Sequence, residues 1–308
     1  MIYNESYVDG VKSLFLRPVL SDNDIAEKSG SYFDADAFPI LISTDTDVYD
    51  EHGCILAKFR KGVFPSALVN QAKQGLQKHF NASTGFRGMS AGNKKGENKI
   101  VKSGVAGYFD TCSINTRSHC KKLGLSWRDY PIRVCTFTKS KTYPMAIPFI
   151  EAINNAYMDL APQAWGEVME RAKKTPFRIG NSCFSTITTN KNFRTALHRD
   201  KGDFGKLGVM SVFEEGSYEG SYTGFPKYGI CFDMRQGDLL IANVHEWHCN
   251  TEKIGNGDRV SIVCYLREGL LPAWEYIQSK REITADEYLQ DIDDIKKRAS
   301  ASHAHVAS

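Results

Sequence analysis

The chain has 308 residues, 39 Lys and Arg against 36 Asp and Glu, and a formal net charge of +3. With 42% hydrophobic and 24% charged residues, it has the make-up of an ordinary globular protein whose length supports one continuous core. No stretch approaches the roughly 18 apolar residues of a membrane span, and so mild a basic balance permits a polyanionic partner without requiring one.

The start, MIYNESYVDGVKSLF, lacks the basic and then apolar pattern of a signal peptide. Ser66 to Phe80 reads as an amphipathic helix. Residues 82–100 are rich in Gly, Asn, Ser and Lys and predict a mobile loop, whose end, Asn93 to Lys102, forms a basic lip. Further basic clusters lie at Lys121, Lys139 and Lys173. From Pro148 to Met169, Phe149, Ile150, Ile153, Ala156, Tyr157 and Leu160 recur at helical spacing, with Lys173 and Lys174 suited to the negative helix end. After Pro176 short β-branched and aromatic runs alternate with glycine-marked turns: Cys183 to Thr189, Leu207 to Phe213, Tyr228 to Asp233, Asp238 to Val244 and Arg259 to Leu266. That spacing predicts an α+β protein built on an antiparallel sandwich or jelly roll. Thr284 to Arg298 predicts a short helix, and 299–308 a disordered tail in which His303 and His305 are solvated bystanders. The 8 cysteines include no CxxC pair and read as reduced thiols. The expectation is an intracellular protein, cytoplasmic or nuclear, with no membrane partner and no obligate protein partner evident.

Chemistry enters at Arg194-Thr-Ala-Leu-His198-Arg-Asp200. A histidine and an aspartate two residues apart on an extended chain point to the same side, so both reach one ion. A third, distant histidine completes the facial triad of non-haem Fe(II) oxygenases and leaves positions open for a chelating oxoacid and O2. The second half of the pattern follows a buried strand, Asp238 to Val244, which runs into His245-Glu-Trp-His248. His248, at the strand end, is the preferred third ligand and His245 the reserve. Arg259 opens the next strand, eleven residues past His248. An arginine there can grip the distal carboxylate of 2-oxoglutarate bidentately. A His/Asp/His zinc hydrolase is the rival reading, but it has no use for that arginine.

The strings around these residues carry a resemblance. Thr188 to Asp203, Gly224-Phe-Pro-Lys-Tyr-Gly229 and His245 to Thr251 resemble the TET/J-binding-protein family of nucleobase-modifying dioxygenases, closest to its thymine-hydroxylase branch. The likeness covers about Lys102 to Arg267. It implies a double-stranded β-helix (jelly-roll, cupin-like) core flanked by helices, occupying 101–298 with supporting helices, with 1–100 as a mixed α/β extension packed on it. It also implies Fe(II), 2-oxoglutarate and O2 as cofactors, and double-stranded DNA as partner with its target base flipped out. Carried over by position, His198, Asp200 and His248 would bind iron and Arg259 the cosubstrate. Arg194 would touch cosubstrate or brace its strand, Asp203 would contact the base, and Lys102 and Ser103 would stand at the substrate entrance. Some members that oxidise 5-methylcytosine use a histidine on the strand after the arginine. Tyr265-Leu-Arg267 has none, which favours thymine.

The expected reaction is hydroxylation of the C5-methyl of a pyrimidine in DNA, thymine to 5-hydroxymethyluracil, with 5-methylcytosine oxidation as its sibling. The alternative is the same chemistry on a protein side chain or a small metabolite. A non-catalytic binding module is a third reading, against which the complete ligand set speaks. Tyr222, Phe225, Tyr228 and Trp247 are aromatic candidates for stacking on a base, with core packing the simpler role for each.

Overall fold

Two hydrophobic periods run through the chain, and the secondary structure follows them. In the computed structural model, which describes residues 1–304, the first part supplies β1 (Ile2–Val8), β2 (Val11–Leu16), α1 (Asp22–Glu27), β3 (Ile40–Ile42), β4 (Thr46–Asp50), β5 (Ile55–Arg60) and α2 (Ser66–Phe80). Next come β6 (Ser83–Thr84), β7 (Val101–Phe109), α3 (Ile114–Lys122), β8 (Arg133–Val134), α4 (Ile147–Leu160) and α5 (Pro162–Ala172). The strand-rich half holds β9 (Thr186–Lys191), β10 (Leu207–Glu215), β11 (Glu219–Gly220), β12 (Thr223–Phe225), β13 (Ile230–Phe232), β14 (Leu239–Asn243), β15 (Cys249–Asn250), β16 (Lys253–Ile254) and β17 (Asp258–Tyr265). Helices α6 (Leu270–Lys280) and α7 (Ala285–Ala304) close the described chain.

The strands form a double-stranded β-helix. The large sheet runs β1-β2-β4-β5-β14-β10-β17-β9-β7-β6, with β8 beside β7, and the small one runs β15-β12-β13-β3. Period-two alternation sorts each central strand between two environments. On β17, Val260, Ile262 and Cys264 enter the core under the helices, while Ser261, Val263 and Tyr265 line a cavity between the sheets. On β9, Ile187 faces the helices and Thr188 and Asn190 face the cavity. Phe149, Ile150 and Ile153 of α4 are fully buried against the outer face, and each such side chain contributes about 1.5–3 kcal/mol. Between the sheets, Phe59, Val212, Phe225, Phe232 and Leu240 fill one end with an apolar plug, leaving the other end for polar groups.

Three expectations from the sequence need revision and a fourth is filled in. The helix over 148–169 is two helices, because Pro162 starts α5 and excludes Ala161 from the helical region (φ −141°, ψ 61°). The tail does not end its order at Arg298. Helix α7 continues through Ala304, and Ala299 is buried at 1% exposure; the side chain of His303 and all of His305 lie outside the described residues. Loop 82–100 is pinned by β6 on β7 and by Ala196 N–H donating to Ser90 O at 2.9 Å. The first sixty residues, expected as part of a mixed α/β extension with no individual strand placed, enter both sheets, adding β5 to β14 and β3 to β13. Among the described residues, no helix is long and apolar enough to cross a membrane.

His79 on α2 sits beneath β9, 2% exposed, with its Nδ1 2.8 Å from Thr189 Oγ1. Burial depresses its pKa from 6.5 to about 4. The unfolded chain therefore takes up this proton first, and stability is lost as pH falls from 6.5 through 4. A His79→Gln variant is expected to show a flatter fall of the urea midpoint across that window; an unchanged slope contradicts a neutral, buried His79.

Candidate metal and substrate site

After β9 the chain turns at Asn192, which adopts φ 49°, and then runs extended to Asp200. His198 N–H donates to His248 O and His248 N–H donates to His198 O, both at 3.0 Å. Asp200 N–H donates to Val244 O at 2.9 Å. This short bridge joins two segments fifty residues apart in sequence and aligns their side chains. One ligand atom from each of His198, Asp200 and His248 lies within 4.8 Å of the others. Nε2 of His198 is 3.8 Å, and Nε2 of His248 is 3.6 Å, from the Asp200 carboxylate.

Both imidazoles are oriented by their own backbone. Nδ1–H of His198 donates to Ala196 O at 2.8 Å, and Nδ1–H of His248 to Glu246 O at 2.9 Å. That leaves each Nε2 as the lone-pair donor aimed at the shared centre. Burial, then the neighbouring His248, lowers the pKa of His198 to about 4. Burial would raise Asp200, but His248 and His198 outweigh it and hold the carboxyl below the usual range. Burial would lower His248, but Asp200 outweighs it and raises its pKa.

The cluster opens into a cavity of about 540 Å³, walled by residues of β7, β9 and β17 and by the loop after β6. Its polar wall is cross-linked by hydrogen bonds. Ser103 Oγ donates to Asn190 Oδ1 at 2.8 Å, Arg87 Nη2 to the same oxygen at 3.1 Å, and Thr188 Oγ1 lies 2.8 Å from Tyr265 Oη. Met210, Val244 and Val263 supply the apolar part. Across from them Asp203 meets Arg267, whose Nη1 donates to Asp203 Oδ1 at 3.2 Å and whose Nε donates to Asp110 Oδ1 at 3.0 Å. The guanidinium also lies over the Phe109 ring, 4.5 Å from its centroid. Gly202 makes room for it, since a Cβ there would come within 2.5 Å of Arg267 Nη1. Burial and the Asp200 carboxylate push Asp203 up to about 8 against the pull of Arg267.

Arg259 shares its parity on β17 with the cavity-lining Ser261, Val263 and Tyr265, two residues before Ser261 and behind the cavity lining itself. It is 5% exposed, and its Nε and Nη2 have no hydrogen-bond partner. Its nearest acid, Glu214, is held by other groups: Tyr218 Oη donates to one carboxylate oxygen at 2.5 Å and Gln236 N–H to the other at 2.8 Å. A buried guanidinium with two unused donors is costly unless a carboxylate arrives. The donor set fits the groups the sequence implies. Two imidazoles and one carboxylate suit Fe(II), and the orphaned guanidinium suits the far carboxylate of 2-oxoglutarate.

The other predicted positions separate cleanly. Asp203 and Ser103 line the cavity. Lys102, their neighbour in sequence pattern, is exposed beside β6 and does not. His245 turns away from the cluster and its Nε2 lies 3.1 Å from Asp203 O. Arg194 also stays out of the cavity; it pairs with Asp34 at 2.6 Å and lies over Tyr32. Phe225 and Tyr228 are packed in the core, and Tyr222 and Trp247 pack against a small satellite cluster. The aromatic rings that line the cavity are instead Phe86, Phe109, Phe137 and Tyr265. Thr188, Asn190 and Arg267 escaped notice in the sequence, yet a signal existed: Thr188 and Asn190 are polar side chains at inward positions of an otherwise buried strand.

A double-stranded β-helix with His-x-Asp, a distant His and a buried Arg on the following strand defines the Fe(II)/2-oxoglutarate oxygenase class. Residues 104–268 match Tet_JBP, the oxygenase domain of the 2OGFeDO superfamily, and the chain belongs to that family. Thymine dioxygenase JBP1-A of Trypanosoma cruzi (strain CL Brener) is 34% identical over 174 residues, covering 54% of this chain and 20% of that protein. The bifunctional helicase and thymine dioxygenase JBP2 of Leishmania tarentolae is 35% identical over 173 residues, covering 55% and 15%. The chain thus spans about a fifth or less of the length of these curated relatives. NgTET1, solved in complex with 5mC DNA, shares the fold with a TM-score of 0.52 at 12% identity, covering 85% of this chain and all of that one.

Arg267 is the shared hydrogen-bond partner of two buried acids, Asp110 and Asp203, so its removal leaves both without their cation. Arg267→Ala is expected to lower unfolding stability by about 3–5 kcal/mol in urea titrations. A loss under about 1 kcal/mol, the size typical of exposed ion pairs, contradicts this reading of the network.

Proposed function

We propose that this chain is an Fe(II)- and 2-oxoglutarate-dependent dioxygenase that hydroxylates the C5-methyl of thymine in DNA. The observation that carries the reading is the His198, Asp200, His248 cluster inside a chain whose core is 34% identical to thymine dioxygenases. His198, Asp200 and His248 would hold the iron, and Arg259 the distal carboxylate of 2-oxoglutarate. Bound together, these groups supply oxidative decarboxylation coupled to hydroxylation of an unactivated C–H bond.

What the chain itself contributes is placement. Met210, Val244 and Val263 keep water from the reacting methyl, as such chemistry requires. Asp203, fixed by Arg267, presents a polar edge three residues from the iron ligand Asp200, where it can meet the ring of a pyrimidine. Ser103, Asn190 and Arg87 form a bonded wall that does not need to reorganise on binding. Among the described residues lining the cavity, the imidazoles are His198 and His248 alone, both assigned to the metal. The strand after Arg259 brings Arg267 to the cavity where a cytosine reader would bring a further histidine, which favours thymine over 5-methylcytosine. Exposed Lys99, Lys102, Arg117 and Lys121 near the cavity entrance favour a nucleic acid over a peptide or metabolite.

The test is incubation with thymine- and 5-methylcytosine-containing DNA, Fe(II) and 2-oxoglutarate, followed by nucleoside mass spectrometry. Oxygen is expected on thymine, lost in His248→Ala and retained in His245→Ala. Succinate without any oxidised base sinks the nucleobase reading, and equal loss in both variants sinks the assignment of His248 over His245.

A further inference from the structure

Two large apolar side chains stand exposed on the rim of the catalytic cavity. Phe86 is 81% exposed and Ile114 is 69% exposed, and both belong to the cavity lining. They reach it from opposite ends of β7: Phe86 through β6, which pairs with the start of that strand, and Ile114 at the first turn of α3, just past its end. Exposed apolar groups at the mouth of a polar cavity mark a surface that something covers.

The segment carrying Phe86 is anchored on both sides of the ring. Thr84 pairs with Val101, and Phe86 N–H donates to Thr84 Oγ1 at 3.1 Å. The next residue, Arg87, reaches into the cavity wall to Asn190 and lies over Phe193, 5.8 Å from its centroid. Ser90 accepts from Ala196, two residues before the iron ligand His198. A held backbone therefore presents a free ring beside the entrance. The flanking side chains are cationic. Lys94, Lys95, Lys99 and Lys102 are exposed on the Phe86 side and Arg117 and Lys121 on the Ile114 side, while the acids Asp110 and Asp203 are both paired with Arg267. Apolar and aromatic groups set among cations complement a stack of bases between phosphate chains.

Resting on the function proposed above, we propose that Phe86 is the residue that enters the duplex when the target base leaves it. A base drawn into an internal cavity leaves a gap in the stack, and extrusion costs unstacking energy that an inserted ring returns. Phe86 is the aromatic group on the rim with a free face. Phe109 lies under the guanidinium groups of Arg133 and Arg267, and Phe137 is engaged edge-on by His79. The partner is thus duplex DNA read through its stacking, and Phe86 is a positioning residue specific to paired substrate.

The experiment compares wild type, Phe86→Ala and Phe86→Trp on one thymine-containing oligonucleotide, presented as a duplex and as a single strand. Turnover is read by nucleoside mass spectrometry. Unstacking at the target is read without oxygen, from 2-aminopurine fluorescence beside the thymine. In Phe86→Ala the ratio of duplex to single-strand turnover is expected to fall by about tenfold or more, the value of one lost base–aromatic stack. The fluorescence rise should disappear with it, and Phe86→Trp should restore both. An unchanged ratio, or a fluorescence rise that survives in Phe86→Ala, overturns the inference while leaving thymine oxidation standing. Wild type that oxidises neither form overturns the inference together with the function it rests on.

Discussion

Everything at this site depends on the pair of backbone hydrogen bonds exchanged by His198 and His248. With Asp200 N–H donating to Val244 O and Asn250 N–H donating to Thr195 O, they tie the two ligand segments together beside the cavity. Because each residue both donates and accepts, the two imidazoles are fixed side by side, with ring centroids 4.3 Å apart. The period of an extended chain then places Asp200 on the same side as His198. The remainder of the β-helix serves to bring these segments together. The apolar plug at Phe225 and Phe232 packs against the back of His248, and β10, β14 and β17 carry the strands that lead into it.

A second constraint is electrostatic. Few charges lie inside the β-helix, and they are arranged in unequal ways. Arg267 is saturated by two acids, Asp110 and Asp203, and sits on an aromatic face. Arg259 is left short of acceptors because Tyr218 and Gln236 occupy Glu214. A protein selected for stability alone would not bury Arg259 in this state. The uncompensated guanidinium makes sense as a group whose partner is a ligand. Arg267 makes sense as scaffold, holding Asp203 at the cavity wall. The same contrast separates the two histidines of the His245-Glu-Trp-His248 string: His248 faces the cluster, and His245 is tied to a backbone carbonyl behind it.

How far the sequence reveals this varies with the range of the interaction. His198, Asp200 and His248 were legible because ligand spacing on extended chain is a local property, and Arg259 because it opens the strand that follows. The helix Ser66–Phe80 was legible in full from its periodicity. Arg194 read as a candidate because it precedes the His-x-Asp pair, but its direction is set by Tyr32 and Asp34, some 160 residues earlier, and no local pattern reports that. Arg267 and Asp110 were missed for the same reason: their meaning lies in a contact 157 residues apart in sequence. The N-terminal strands were hidden too, since β5 gains its strand character from pairing with β14 rather than from alternation of its own. Tyr222, Phe225, Tyr228 and Trp247 show the limit of proximity in sequence, because strand direction turns them from the cavity into packed clusters.

A metal held by His198, Asp200 and His248 would form, together with the guanidinium of Arg259, one site for 2-oxoglutarate. Calorimetric titration of 2-oxoglutarate into protein loaded with redox-inert Mn(II) tests it directly. One equivalent is expected to bind, with no binding before the metal is added, and the affinity is expected to weaken by about tenfold or more in Arg259→Met, the loss expected for one bidentate charged contact. Binding of equal strength with and without metal, or an Arg259→Met variant that binds as wild type does, would contradict it.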